Sequence, residues 1–182
     1  KCAKVDLVAH SMGGLVARQY IQSGEYESDV DQLIFLGTPH LGAPKAYLMW
    51  EGGENDVNFS DKVMKFVLSR EAKKAGYTSL FDYIRNRPIF SVQQLLPIYD
   101  YLREKDTENL RVYPNNYPVN TFLENLNNAS STLLNSGVRI TNIIGDTGSS
   151  TINSIRVVDP PNSPLWEHGY PDGFNGSTSD NG

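Results

Sequence analysis

The sequence predicts an α/β fold: a doubly wound, mostly parallel sheet with a helical cap insertion. Two short apolar runs, Val5–Ala9 and Gln32–Gly37, are typical of strands that are buried on both faces. A helical pattern over Gly14–Gln22 joins them, so the three segments are expected to form a right-handed βαβ unit. The alternation of strand and helix stops at residue 45. Residues 45–137 show helical patterns over roughly ninety residues, which is too long for a loop.

The first helix follows the first strand directly and is predicted to end at Ser23 and Gly24. Its spacing predicts that Arg18 and Gln19 face water. The residues predicted to face the sheet are Leu15, Val16, Tyr20 and Ile21.

Four helical segments are predicted inside the insertion. The first runs from residue 60 to Gly76, the second lies around 81–84, and the third covers 91–103 with a bend at Pro97. The fourth is a helix or helix pair over residues 119–134. The side chains along one side of the first are Val63, Phe66, Val67 and Arg70.

The insertion carries aromatic and aliphatic side chains that either line an acyl-chain pocket or pack within the cap, and packing is the favoured interpretation. The stretch 50–56, Trp-Glu-Gly-Gly-Glu-Asn-Asp, is predicted to be the hinge of a mobile lid. The side chains concerned are Tyr47, Leu48, Met49, Trp50, Phe59, Phe66, Phe90, Tyr99 and Tyr101.

A strand over 138–144 returns the chain to the sheet, and 154–158 reads as a short strand before a loop-rich tail. The predicted domains are therefore an α/β core over 1–44, a helical cap over 45–137, and a core strand with its tail over 138–182.

The segment Val5–Leu15 reads V-D-L-V-A-H-S-M-G-G-L, a strand, a serine between small residues, and a helix. This order is typical of a nucleophile elbow, in which Ser11 occupies a tight turn and the Met12 N–H points at a forming oxyanion. Such a turn is expected to accept only small side chains two residues before and after the serine, here Ala9 and Gly13. The alternative is an ordinary strand-loop-helix with Ser11 as the helix N-cap.

The stretch A-H-S-M-G-G-L-V-A-R and the stretch L-I-F-L-G-T-P-H-L-G-A-P (residues 33–44) resemble the α/β-hydrolase lipases. The resemblance is to the branch that groups bacterial lipases with lecithin:cholesterol acyltransferase-like and GPI-inositol-deacylase-like proteins. It implies a serine esterase or lipase that cleaves carboxylic, lipid-like esters through an acyl-Ser11 intermediate. Alternatives are an acyltransferase that uses the same serine, and a non-catalytic binding domain on a hydrolase scaffold.

The sequence leaves more than one candidate for the acid and the base of the catalytic triad. Asp146 follows a strand and His168 comes later, which is the order of acid and base in this fold. The resemblance favours an acid and a histidine beyond Gly182. His40 follows the second strand and is either the base or, preferably, a residue that braces the loop. The side chains expected to line the substrate cleft are His10, His40 and Leu41.

The bulk composition excludes several classes of protein. No apolar run approaches the ~20 residues of a membrane span, and the net charge of −5 argues against a nucleic-acid partner. The scattered histidines and the single Cys2 form no recognisable metal site, and no cofactor is expected. The expected partner is an ester or lipid substrate, with transient contact between the cap and a lipid surface.

The composition leans towards a secreted or extracytoplasmic protein. The N-terminus lies close to a core strand, so the 182 residues are expected to be part of a longer protein and inactive by themselves.

Overall fold

A computed structural model describes residues 4–54, 59–86, 90–145, 152–159 and 164–172. The chain divides into two compact units, the first from residues 1–41 and 121–147, the second from 42–120 and 148–182.

Among its described residues, the first unit contains a parallel three-stranded sheet. Strand β1 is Val5–His10 and β2 is Val30–Leu36, and the helix α1, Gly13–Gln22, connects them as predicted. Strand β4, Arg139–Ile143, pairs with the far side of β2. All three strands therefore end at the same edge of the sheet, where open parallel sheets bind their ligands.

Three described helices of this unit pack together. They are α1, α6 (Thr121–Asn128) and α7 (Ser130–Leu134), and α1 packs against both of the others. Two of them, α1 and α7, contribute to one apolar cluster with the sheet. The cluster residues are Ala17, Ile21, Val30, Leu33, Phe35, Leu133 and Val138.

The opposite face of this sheet is open among the described residues. On this face Val8 of β1 is 64% exposed, and Ile143 of β4 is exposed as well. The prediction that β1 is buried on both faces is therefore wrong for the described part of the chain, where β1 is also an edge strand. Because the residues of β1 are apolar almost without interruption, the sequence does not distinguish a covered face from an exposed one.

The buried face of α1 differs from its prediction at two positions. Leu15 and Ile21 are buried as expected, but Val16 is 65% exposed. Arg18, predicted to face water, is only 4% exposed. Hydrophobic spacing misassigned Arg18 because its guanidinium has polar partners inside the unit.

The second unit is organised around helix α2, Lys45–Gly52, which the sequence analysis did not identify. Almost every side chain of α2 is buried, so the helix lacks the one-sided pattern by which surface helices are recognised. It ends at Gly53, which adopts a left-handed conformation with φ 64°. The other helices of this unit are α3 (Phe59–Lys74), α4 (Leu80–Asn86) and α5 (Phe90–Gln93).

A small sheet completes the second unit. Strand β3, Leu102–Glu104, pairs in parallel with β5, Ile155–Val158, and β5 pairs antiparallel with β6, Tyr170–Pro171. The helix predicted over 91–103 is therefore wrong beyond Gln93. Pro97 lacks an N–H and disfavours helical backbone before it, and strand pairing with β5 determines the remainder.

The compact units do not follow the predicted domain boundaries. The helices over 121–134, assigned to the cap, pack on α1 in the first unit. The tail strands β5 and β6 belong to the second unit together with α2. The prediction assigned each of these segments to the same domain as its neighbours in the chain. In the structure, their apolar faces pack against segments that are distant in the sequence.

The prediction of a lid hinge at residues 50–56 is also wrong for the first residues of this stretch. Trp50 and Glu51 lie inside α2 and are buried. Residues 55 and 56 lie outside the described residues. The glycines that suggested mobility terminate a packed helix.

Candidate functional site

Ser11 lies between the end of β1 and the start of α1, with a left-handed backbone at φ 53°. Its N–H donates to the Leu36 carbonyl at 2.9 Å, which extends the pairing of β1 with β2 by one residue. Its own carbonyl accepts from the Gly14 N–H at 3.0 Å and closes the turn into the helix. A serine in this region carries backbone strain of about 1–2 kcal/mol, held by the strand before it and the helix after it.

The close approach that the turn requires occurs at Gly14, not at Gly13. A Cβ at Gly14 would lie 2.0 Å from Oγ1 of Thr38 and 2.8 Å from Cδ1 of Phe35. A Cβ at Gly13 would meet no described atom within 4 Å. Among the described residues, the steric requirement expected at Gly13 is therefore not found there and occurs one residue later.

Met12 is the N-cap of α1 and lies on the surface. It has helical backbone, φ −54° and ψ −26°, and its side chain is exposed. Among the described residues no backbone carbonyl accepts its N–H. The residue is therefore in the right chain position to offer a backbone donor beside Ser11, at the positive end of the α1 dipole.

The other predicted cleft residues of the first unit follow β1 and β2. His10 is the last residue of β1 and is exposed. His40 and Leu41 follow β2, with His40 partly buried and Leu41 exposed. The parallel sheet therefore brings the ends of both strands, and these two loops, to one edge.

The loop that carries His40 is held by a buried arginine. Nη1 of Arg18 lies 3.1 Å from Nδ1 of His40, Nη2 donates to the Leu126 carbonyl at 3.0 Å, and Nε donates to Oε1 of Gln22 at 3.0 Å. Nδ2 of Asn127 donates to the His40 carbonyl at 2.9 Å, so α6 also contacts this loop. One cation thus joins α1, the loop after β2, and α6.

Replacing Arg18 by methionine is expected to lower the free energy of unfolding by about 1–3 kcal/mol, because Nδ1 of the partly buried His40 is left without its donor. Urea unfolding measures the change. Gln19→Met on the exposed side of α1 is the control and should stay within about 0.5 kcal/mol of the parent. Equal stability of Arg18→Met and Gln19→Met would contradict the bracing role.

The same contact fixes the protonation of His40. An arginine only donates, so Nδ1 of His40 must accept and the ring is neutral. Burial, followed by the charge of Arg18, lowers the pKa of His40 below its ordinary value of 6.5. A neutral ring whose Nδ1 is occupied by a cation is poorly suited to take up a proton at that atom.

Stability should therefore depend on pH through His40. Below about pH 6.5 the unfolded chain binds a proton that the folded chain excludes, so this stabilisation is complete above pH 6.5 and is lost as the pH falls. The loss is at most about 1.4 kcal/mol per pH unit. His40→Asn should flatten the urea-derived stability profile between neutral and acidic pH relative to Leu41→Asn. Parallel profiles for the two variants would show that His40 does not carry this dependence.

His168, one of the two proposed triad members, lies in the second unit beside a buried carboxylate. Its Nδ1 is 3.1 Å from Oε1 of Glu51, and its backbone N–H donates to Oε2 of Glu51 at 3.2 Å. Glu51 is fully buried and also binds Arg85 at 2.9 Å. The guanidinium of Arg85 stacks 4.3 Å from the ring of Trp50. His168 is thus part of a charged cluster inside its own unit.

Asp146, the proposed acid, lies outside the described residues. Over the described ranges no three His, Cys, Asp or Glu side chains come together as a metal site. None of the helices in the same ranges has the length and apolar character to cross a membrane.

Sequence reasoning missed two residues that organise these surroundings, Arg18 and Glu51. Each is a charged residue directly after an apolar run, 15–17 for Arg18 and 47–50 for Glu51, which is the one signal that could have identified it. A charge inside an apolar helix is expensive to bury without partners, so it points to a specific partner elsewhere in the fold.

Comparison with protein families matches residues 1–133 to the PGAP1-like alpha/beta domain. The match contains β1, the Ser11 turn, α1, β2 and the helices up to α7. Neither a curated protein nor a solved structure is similar enough to count as a match.

Proposed function

The chain belongs to the PGAP1-like alpha/beta domain family, a family of GPI-inositol-deacylase-like α/β hydrolases, and on that premise we propose that it cleaves carboxylic esters through Ser11. The substrate is a lipid-like ester, and the acyl group passes through a covalent acyl-serine. The observation that carries the proposal is the left-handed backbone of Ser11 between a parallel strand and a helix.

The geometry of the turn supports a nucleophilic role over that of a helix cap. Met12, not Ser11, is the N-cap of α1, and no side-chain hydrogen bond caps this helix. Ser11 is therefore held in a strained conformation without acting as the cap that the alternative interpretation requires. Strain maintained by the surrounding structure is typical of functional positions.

The reaction requires donors for the oxyanion that forms when Ser11 attacks the ester carbonyl. In our proposal the Met12 N–H supplies one of them, as in other hydrolases with this turn. The exposed start of α1 adds the positive end of its dipole, which favours the developing negative charge by about 0.3–1 kcal/mol.

The proposal assigns the loop after β2 a positioning role. Arg18 keeps His40 neutral and holds the loop through its contacts with Nδ1 of His40 and with α6. His10 and Leu41 are exposed at the same strand ends and are proposed to line the ester's path to Ser11. For the acid and the base, Asp146 and His168 are the pair whose order in the chain fits the proposal.

Pre-steady-state hydrolysis of p-nitrophenyl esters by the intact protein tests this proposal. An acyl-serine intermediate predicts a burst of p-nitrophenol, of at most one equivalent per protein, when deacylation is slower than acylation. Adding an alcohol separates the two acyl acceptors: an acyltransferase forms the new ester in preference to the free acid. Absence of ester cleavage for every acyl length would contradict the proposal and favour a binding domain on a hydrolase scaffold.

A further inference from the structure

The apolar side of helix α3 faces away from the core of its unit. The sequence places Val63, Phe66 and Val67 on one side of this helix, the pattern usually found against a core. In the structure these residues and Met64 are 47% to 62% exposed. The side that packs inward carries Ala72, which is buried, and Leu68, which contacts the core cluster of the second unit.

The second half of the outward face is basic. At about 100° per residue, Arg70 and Lys74 continue the line of Val63 and Val67, and Lys73 lies at its margin. Nζ of Lys74 forms an exposed ion pair with Oε1 of Glu71 at 2.6 Å, so Arg70 and Lys73 provide the net positive charge of this half. The guanidinium of Arg70 lies 5.8 Å from the ring of Phe66, where the apolar and basic halves meet.

The charge of α3 is opposite to that of the remainder of the chain. Phe59–Lys74 contains five basic and two acidic residues, a formal charge of +3, whereas the whole chain carries −5 and the other residues therefore −8. A positive, partly apolar face on an acidic chain is complementary to a surface that is itself anionic and apolar below its charges.

We propose that α3 is a docking surface for an anionic lipid membrane. Val63, Met64, Phe66 and Val67 enter the boundary between headgroups and acyl chains, and Arg70, Lys73 and Lys74 contact lipid phosphates. The inference rests on the proposed function in one respect: a membrane is where a lipid-like ester is found. The binding itself needs no catalysis.

A second copy of the chain is a poorer occupant of this face. A twofold contact between two α3 helices would bring the basic half of one against either the basic half or the apolar half of the other. The four apolar side chains also offer much less than the ~800 Å² per partner of a typical stable interface.

Sedimentation with vesicles tests the proposal, and the Ser11→Ala protein is used so that no lipid is consumed. Binding to phosphatidylcholine vesicles that contain phosphatidylserine is expected, with weaker binding to phosphatidylcholine alone and a decrease as salt is raised. The double variant Val63→Ser/Val67→Ser should reduce binding about tenfold. Arg70→Glu should reduce binding to the anionic vesicles by about the same factor and bring it towards the level for phosphatidylcholine.

Val112→Ser is the matched control, because Val112 is a valine of the same unit that is 63% exposed but lies outside α3. It should bind vesicles like its parent. Equal loss in Val112→Ser, no vesicle binding by the parent, or a dimer that the α3 double variant abolishes would each overturn the proposal. Cleavage of soluble short-chain esters by protein with a native Ser11 is measured separately, so failure of docking and failure of the esterase proposal are distinguishable.

Discussion

Replacement of Ser11 by alanine is expected to lower kcat for ester hydrolysis by the intact protein by about 10⁴-fold or more. The reason is that the variant keeps the turn but has no oxygen to form the acyl intermediate. The change in stability should be small, below about 1 kcal/mol, because Ser11 is only partly buried and the backbone already adopts its conformation. Steady-state hydrolysis and thermal unfolding measure the two effects.

Ser28 provides a matched control for this substitution. It is also a serine with left-handed backbone, φ 57°, but it precedes β2 at the opposite end of the parallel strands. Ser28→Ala should therefore leave turnover unchanged. An unaltered rate in Ser11→Ala, or an equal loss in Ser28→Ala, would contradict the role of Ser11.

The variant Ser11→Gly distinguishes loss of the serine hydroxyl from loss of activity through a damaged fold. Glycine adopts φ 53° without the steric penalty of a side chain, so this variant should be equally stable or up to about 1 kcal/mol more stable. It should nevertheless be as inactive as Ser11→Ala. A gain in stability together with a loss of activity is the signature of a position where function maintains strain.

The second large effect is expected at Gly14. Gly14→Ala places a Cβ 2.0 Å from Oγ1 and 2.5 Å from Cγ2 of Thr38, so the start of α1 and the loop after β2 must separate. A loss of about 2–4 kcal/mol in the free energy of unfolding is expected, and it should be visible as a lower urea midpoint.

Two companion variants make this prediction specific. Gly13→Ala, at the adjacent position where a Cβ meets nothing described, should be neutral or stabilising by up to about 1 kcal/mol. Adding Thr38→Ala to Gly14→Ala removes both Thr38 atoms from the clash and should restore more than half of the lost stability. Equal costs at Gly13 and Gly14 would show that the packing of α1 against Thr38 is not the constraint.

The part of the molecule that the sequence predicted well is the segment from Val5 to Leu36. Short apolar runs, a helix of ordinary length and small residues around a serine are local signals, and each element lies within two residues of its prediction. The turn at Ser11 was predicted from the same signals, because a strand followed at once by a helix requires an unusual backbone at the junction.

The parts that could not be predicted depend on contacts between distant segments. Arg18 is buried because Leu126 and His40 accept its hydrogen bonds, and neither lies near it in the chain. Leu102–Glu104 forms a strand because Ile155–Val158 is beside it. The apolar side of α3 is the opposite case, an apolar face that is exposed. Helical spacing identifies such a face but does not say whether another part of the fold covers it.

The most direct test of the account is to label the intact protein with a fluorophosphonate and locate the adduct by mass spectrometry after trypsin digestion. Cleavage after Lys4 and Arg18 releases the peptide Val5–Arg18, in which Ser11 is the only hydroxyl-bearing residue. If Ser11 is an activated nucleophile, labelling is rapid, the phosphonate is found on that peptide, and Ser11→Ala is not labelled. An unlabelled Val5–Arg18 peptide, with the probe unreacted or attached elsewhere, would contradict that role of Ser11.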